Sequence, residues 1–191
     1  SAPEITYGFP GASCISVNEV VAHGIPGERV IAAGDLVNID VSAELNGIFA
    51  DTGASFVVPD ADPKLVALCR DGKRAMWEGI RAVKSGGAFA DIGNAIGAFA
   101  KKHRYTLIEN LASHGVGDSL HDEPREISTW PDRGERRRIK EGLVFTVEPF
   151  LSLGARFAID AELEDGFTLW AEPGAPTVQF EHTIVATKRG P

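Results

Sequence analysis

The chain has 191 residues, 43% of them apolar, with a formal net charge of −8, and so reads as one ordinary domain, 1–191, able to bury a full core without staples. An acidic surface offers no counter-charge to nucleic acid or to an anionic membrane, so neither is expected as a partner and a peptide substrate is easier to accommodate. The two cysteines, Cys14 and Cys69, lie far apart, no secretory leader is expected, and there is no apolar run of about 18 residues, which makes a reducing cytoplasm the expected setting.

Residues 1–16 are rich in Pro and Gly, and Tyr7-Gly8-Phe9-Pro10-Gly11 reads as a loop offering two aromatic rings to line a site. The run 15–23 reads as a strand interrupted by a turn or bulge at Asn18-Glu19. His23 follows, ahead of a Gly-Pro turn, and taken alone such a histidine is more often a surface residue than a catalytic one. The stretch 36–55 carries the clearest pattern. Val37, Ile39 and Val41 alternate with Asn38, Asp40 and Ser42, as in a strand with Asp40 on its polar face. Asn46-Gly47 is a hairpin signal between two β-prone runs, and it returns Asp51 to the neighbourhood of Asp40. Taken alone, Asp51 in Asp51-Thr52-Gly53 would read as a turn former. Two carboxylates held close in a sheet are destabilising unless a proton or a cation lies between them, and a divalent metal meets that need.

Asp62-Pro63 supplies an N-cap and a preorganised first residue for a helix in which Leu65, Leu68, Cys69, Ala75, Met76, Ile80 and Val83 recur at helical spacing. It stops at Ser85-Gly86-Gly87. Asp91 reads as the cap of a second helix, with the stripe Ile92, Ala95, Ile96, Phe99 and Ala100 and a cationic end that suits a helix C-terminus. Ser113-His114-Gly115-Val116-Gly117 sets a histidine among small residues that allow close approach, and His121 follows seven residues later. Leu143, Phe145 and Val147 share one face of a strand, while Val144, Thr146 and Glu148 share the other. In the run 177–185, Gln179, Glu181 and Thr183 point together and His182 points away, which makes Glu181 the residue facing a site. The basic cluster Arg133, Arg136, Arg137, Arg138 and Lys140 is interleaved with acids and reads as a solvated loop, a ribosome contact being the alternative.

Taken in order, NEVVAHGIP (18–26), NIDV (38–41), ADTG (50–53), SHGVG (113–117), LHDEP (120–124), VEP (147–149) and QFEHTIV (179–185) resemble the type I methionine aminopeptidases, in register along the entire chain. The resemblance implies an α+β pitta-bread fold, a curved antiparallel sheet with helices on its outer face and two divalent metal ions (Co, Mn, Fe or Zn) on its inner one. It implies that Asp40 chelates one metal, that Asp51 and Glu181 bridge both, and that His114 and Glu148 complete the other. Four carboxylates and an imidazole are a hard donor set that suits such ions. His23 and His121 match the family's two non-ligand histidines, which would hydrogen-bond the scissile amide and the developing oxyanion, with Glu148 a proton shuttle as well as a ligand. Thr6 or Tyr7, with Phe9, Cys14, Leu120 and Phe167, would form the pocket for the methionine side chain.

Three departures accompany the match. Leu120 and Phe167 stand where the family more often has Phe and Trp, Ser113 stands where it commonly has Gly, and several dozen mostly helical residues precede the corresponding point in the family, which would leave apolar surface uncovered here. The activity implied is removal of the initiator methionine from peptides and nascent chains, preferably ahead of a small second residue, by a cytoplasmic monomer. A proline-directed peptidase of the same fold shares the ligand set, although NEVVAHGIP favours the methionine branch. A catalytically weak peptide-binding scaffold is the remaining alternative, but it would gain nothing from four clustered carboxylates.

Overall fold

A computed structural model describes residues 1–160 and 165–191. The chain opens with a short helix, α1 (Ala2–Tyr7), where its Pro and Gly content predicts a loop. Pro3 sits in the first turn, Gly8 takes the left-handed conformation at φ 67°, and the amides of Gly8 and Phe9 donate to the carbonyls of Glu4 and Pro3. The residues that read as loop formers thus act as helix start and stop. β1 (Cys14–Val17) and β2 (Val20–Ala22) are the two parts of the strand predicted over 15–23. Asn18, at φ 58°, turns the chain between them so that they enter different sheets.

β3 (Leu36–Leu45) and β4 (Ile48–Val57) form the predicted hairpin. Asn46 and Gly47 both have positive φ, 55° and 82°, as a two-residue turn matched to strand twist requires. α2 (Pro63–Ala82) begins at Asp62, whose side chain accepts a hydrogen bond from the Lys64 amide. α3 (Phe89–His103) begins after Ala88, so Asp91 lies inside the first turn and is not the cap; its carboxylate reaches back to accept from the Ala88 amide at 3.1 Å. The remaining strands are β5 (Thr106–Leu107), β6 (Ser113–Gly115), β7 (Asp122–Ile127), β8 (Val144–Val147), β9 (Phe150–Ser152), β10 (Phe157–Asp160), β11 (Leu169–Glu172), β12 (Thr177–Gln179) and β13 (Glu181–Val185). The single run predicted over 177–185 is therefore broken at Phe180, and its parts join different sheets.

A seven-stranded antiparallel sheet ordered β1-β3-β4-β13-β8-β6-β7 is flanked by two three-stranded sheets, β10-β11-β2 and β12-β9-β5. α2 and α3 bury Leu68, Met76, Ile80, Ile92 and Ile96 in one cluster with Phe145, Val147, Leu151 and Val178 from the strands. Phe145 and Val147 are fully buried in it, so the alternate positions, Thr146 and Glu148, face the other side. The hairpin inverts the usual patterning. Its polar Asn38, Ser42, Asp51 and Ser55 are buried, whereas Ile39, Val41 and Phe56 are exposed, as is Trp77 of α2, which stacks edge-on against His182.

The packing of α3 makes one glycine obligatory. A Cβ on Gly93 would lie 2.2 Å from the Trp130 carbonyl oxygen and 3.0 Å from that of Ser128, backbone atoms that cannot rotate away. Helix propensity alone would make Gly93→Ala stabilising by about 1 kcal/mol. Overpacking of this kind costs about 1–3 kcal/mol or more and wins. The expected result is a melting temperature lower by roughly 2–6 °C. A rise in thermal melts would show that the 128–131 segment yields.

Candidate metal centre and substrate cavity

Five neighbouring strands each bring one donor to the inner face of the large sheet. In sheet order these are Asp40 on β3, Asp51 on β4, Glu181 on β13, Glu148 just past the end of β8, and His114 on β6. Register accounts for the convergence. Gly53 is paired with Asp40 on one side and with Glu181 on the other, so Asp51, two residues before it, is the diagonal neighbour of both.

Side chains alternating with the donors hold them in place. Ser42 donates to Asp51 Oδ1 at 2.9 Å, and Thr183 Oγ1 accepts from the Asp51 amide and donates to its carbonyl. Thr146 Oγ1 donates to Glu148 Oε1 at 2.9 Å and accepts from the His114 amide. Ser113 Oγ, fully buried, accepts from the Glu148 amide at 2.9 Å. The residue that departs from the family pattern is thus an anchor for Glu148. His114 Nδ1 bonds the Gly115 carbonyl, and Nε2 faces the acids, 3.4 Å from Glu148 Oε1 and 3.9 Å from Asp51 Oδ2.

The electrostatics of this cluster are unfavourable as they stand. Burial, followed by repulsion from Asp51, holds the Asp40 carboxyl well above the usual carboxylate range; burial with Asp51 and Asp40 does the same to Glu148, and burial with Glu148, Asp40 and Asp51 to Glu181. His114 brings no compensating charge, because desolvation lowers its pKa against the pull of the Gly115 and Leu120 backbone. Among the described residues no Lys or Arg forms an ion pair with any of the four acids, and Glu181 Oε1 is a buried atom without a hydrogen-bond partner. Asp51, His114 and Glu181 offer donor atoms all within 4.8 Å of one another. Hard donors, an orphaned buried oxygen and excess negative charge fit a divalent cation.

Above these acids lies a cavity of ≈ 380 Å³. Phe9, Cys14 and Leu120 are buried in its walls, and Phe167 meets Phe9 edge-on with ring centroids 5.3 Å apart. Burial, then Asp40 and Asp51, push the Cys14 thiol up to about 12, so it remains a neutral, apolar lining group. Tyr7, His23 and His121 stand at the mouth, each partly open to solvent. The Tyr7 hydroxyl hydrogen-bonds His121 Nδ1, and the His121 ring lies edge-on to His114 with centroids 4.0 Å apart. Desolvation, and next the neighbouring His114, bring His121 down to about 4. Desolvation likewise lowers His23, against a backbone hydrogen bond with Phe167 and the field of Asp51.

Of the residues named from the sequence, Thr6 alone is not brought here: it lies exposed on α1, and Pro3 from the same helix lines the cavity with Tyr7. Ser42, Thr146 and Ser113 went unassigned, although the first two alternate with site acids and so carried a period-two signal.

Residues 4–188 match metallopeptidase family M24. The methionine aminopeptidase of Staphylococcus epidermidis is 46% identical over 192 residues, covering 100% of this chain and 76% of that one. Methionine aminopeptidase 2 of Bacillus subtilis is 42% identical, again covering 100% of this chain and 76% of its own. The crystal structure of methionine aminopeptidase from Rickettsia prowazekii superposes with a TM-score of 0.92 at 38% identity, covering 99% of this chain and 76% of that chain. The curled antiparallel sheet with its outer helices is the pitta-bread fold that the motifs imply.

The raised carboxyls make the metal-free protein sensitive to alkali. Groups whose folded pKa exceeds the unfolded value contribute stability that is complete below about pH 4 and is lost as pH rises through the raised folded values. The lowered histidines oppose this slope until they are neutral in the unfolded state too, above about pH 7.5. In chelator, the melting temperature is therefore expected to fall with rising pH once the histidines are neutral, above about pH 7.5, and excess Mn²⁺ to raise it more as pH rises; with the ion at about 100 times its Kd the gain is about 2.7 kcal/mol. A chelated protein whose melting temperature is flat or rising across that window would contradict the charge arrangement described.

Proposed function

This chain belongs to metallopeptidase family M24, and from that membership we propose that the cavity receives the first residue of a peptide while the acidic floor beneath it is the hydrolytic centre. The protein is a metal-dependent aminopeptidase that removes N-terminal methionine. What carries this assignment at the level of residues is that four carboxylates and an imidazole, on or at the end of five strands that neighbour one another in the sheet, converge under an apolar cavity.

Asp40, Asp51, His114, Glu148 and Glu181 would hold two divalent ions of the Co, Mn, Fe or Zn class. Bound there, such ions would polarise the scissile carbonyl and acidify a water. The methionine side chain would lie against Phe9, Cys14, Leu120 and Phe167, an apolar wall with a neutral thiol that suits an unbranched thioether. Burial raises the pKa of the Tyr7 hydroxyl, which hydrogen-bonds His121 Nδ1. With that hydroxyl as the donor, the neutral His121 ring would carry its own proton on Nε2, as a donor to the charge developing on the carbonyl oxygen. His23, whose pKa desolvation also lowers, would hydrogen-bond the scissile amide. Glu148, fixed through Oε1 by Thr146 and through its backbone by Ser113, would take a proton from the attacking water and return it to the leaving amine. Peptides with a small second residue are the preferred substrates, nascent chains among them.

In the basic cluster, Arg137 bonds Glu135 and the Glu126 carbonyl and lies over Phe89, which supports a structural role for that member. No helix among the described residues is long and apolar enough to cross a membrane.

The discriminating experiment is hydrolysis of Met-Ala-Ser beside an Xaa-Pro peptide after loading with Mn²⁺ or Co²⁺. Only the first is expected to be cleaved, and a loaded protein inert towards it would sink the assignment. Glu181→Gln and His114→Ala are expected to lose metal and activity together. His121→Ala should keep its metal while kcat/KM falls by ~10²–10³; metal loss in that variant would place His121 among the ligands. The pocket makes a separate prediction, since one methylene in an apolar site is worth only about 1–3 kcal/mol. Phe167→Trp is expected to lower the kcat/KM ratio of Leu-Ala-Ser to Met-Ala-Ser, and an unchanged ratio would remove Phe167 from the selectivity wall.

A further inference from the structure

Gln179, the last residue of β12, is 2% exposed and lies between two of the acids. Its Nε2 is 3.0 Å from Glu181 Oε2 and 3.3 Å from Asp40 Oδ2. The orientation of this amide can be derived from its surroundings. Asn38 Nδ2 lies 3.3 Å from the Gln179 backbone carbonyl and 2.9 Å from the Gln179 side-chain oxygen. A backbone carbonyl only accepts, so the Asn38 group facing it must be the NH₂. The same NH₂ meets the Gln179 side chain, so that side chain must present its oxygen there and its own NH₂ to the acids. Ser55 Oγ fixes the backbone on which this rests, donating to the Gln179 carbonyl at 2.9 Å and accepting from its amide at 3.0 Å.

The amide also occupies a space made for it. Gly53 stands in register between Asp40 and Glu181, and a Cβ there would come 2.1 Å from Gln179 Oε1 and 2.7 Å from Nε2. A side chain on the middle strand would fill the gap between the two acids; its absence lets the Gln179 amide span them.

We propose that Gln179, oriented by Asn38 and seated over Gly53, is a positioning residue of the metal centre, which holds one oxygen of Asp40 and one of Glu181 by N–H donation and so selects the other oxygen of each as the ligand atom. On Glu181 the oxygen left over is Oε1, the buried atom with no partner among the described residues. Two donors from one rigid amide also keep two neighbouring acids in fixed orientations before any cation arrives. Removal of such a partner typically lowers metal affinity by about 10–100-fold. This rests on the assignment of Asp40 and Glu181 as metal ligands made above.

The test is titration of the chelator-stripped protein with Mn²⁺ by calorimetry, and with Co²⁺ by its visible absorption, in wild type and variants, alongside melting in chelator. Gln179→Met keeps the length of the side chain and removes the donors; its Mn²⁺ affinity is expected to fall about 10–100-fold and its Co²⁺ spectrum to change. Gly53→Ala removes no ligand and no donor but evicts the amide, and is expected to lose affinity similarly. In Gly53→Ala/Gln179→Ala the clash is gone, so the melting temperature in chelator should recover relative to Gly53→Ala while the affinity stays low. A double variant that binds Mn²⁺ like wild type, or a folded Gln179→Met with unchanged affinity and spectrum, would overturn the proposal. If wild type binds Mn²⁺ no better than His114→Ala does, the metal assignment itself fails and the proposal with it.

Discussion

Four carboxylates pressed together on one face of a sheet are the constraint to which the rest of the molecule answers. In so dry a place Asp40, Glu148 and Glu181 cannot all ionise at neutral pH unless a cation sits among them, and no Lys or Arg among the described residues is supplied. The arrangement persists because its backbone is held independently of it. α2 and α3 clamp Phe145 and Val147 of the strand leading to Glu148 from behind, and the antiparallel registers of β3, β4 and β13 hold the strands of Asp40, Asp51 and Glu181 together. The hydroxyls of Ser42, Thr146 and Thr183 steady individual groups without adding charge. A fold that keeps such a cluster assembled is preorganised for a cation, and binding then stabilises the folded state at the same time.

Chemistry and selectivity come from different parts of the chain. The large sheet supplies the acids and His114, one per strand, from rigid hydrogen-bonded backbone. The cavity walls come mainly from its margins: the end of α1 and the turn after it for Tyr7 and Phe9, the edge strand β1 for Cys14, the turn before β7 for Leu120 and His121, and the segment before β11 for Phe167. Loops on a fixed scaffold can vary the shape of the pocket without moving a ligand. The inverted patterning of β3 and β4 belongs to the same division. Their inner face carries Asn38, Asp40, Ser42, Asp51 and Ser55, the polar floor of the cavity and its supports, which leaves Ile39, Val41 and Phe56 on the outside.

The sequence was most legible where local chemistry and global role coincide. Asn46-Gly47 fixes a turn, the turn fixes a register, and the register sets Asp51 diagonal to Asp40; each step is local and could be read directly. The alternation of Gln179, Glu181 and Thr183 survived even though the strand itself is broken at Phe180, because a single-residue break leaves the facing intact while redirecting the pairing. That redirection is a tertiary choice with no local mark. Pro3 and Gly8 could equally open a loop or bound a helix, and which of them occurs is decided by packing, since Ala2 and Pro3 are buried. Thr6 was misplaced by the same ambiguity, because a helix turns successive side chains by about 100° where a loop would not. Ser113 reads as a departure from pattern until the Glu148 amide is seen to need its hydroxyl.

The pair of histidines shows why the electrostatics of the floor and of the cavity cannot be separated. The rings of His114 and His121 are 4.0 Å apart, and desolvation lowers the pKa of both. Two imidazolium ions at that separation would repel strongly, and one alone would be attracted by the acids yet opposed by burial. Neutrality in both is what their roles require. A protonated His114 has no lone pair to give a metal, whereas the neutral ring with Nδ1 engaged by Gly115 directs Nε2 at the acids. A protonated His121 would carry a full positive charge at the cavity mouth, where the incoming peptide brings its own ammonium group. A neutral donor hydrogen-bonded at Nδ1 by Tyr7 would, in the proposed role, stabilise charge only where charge develops, which is the condition for an interaction to favour the transition state over the bound substrate.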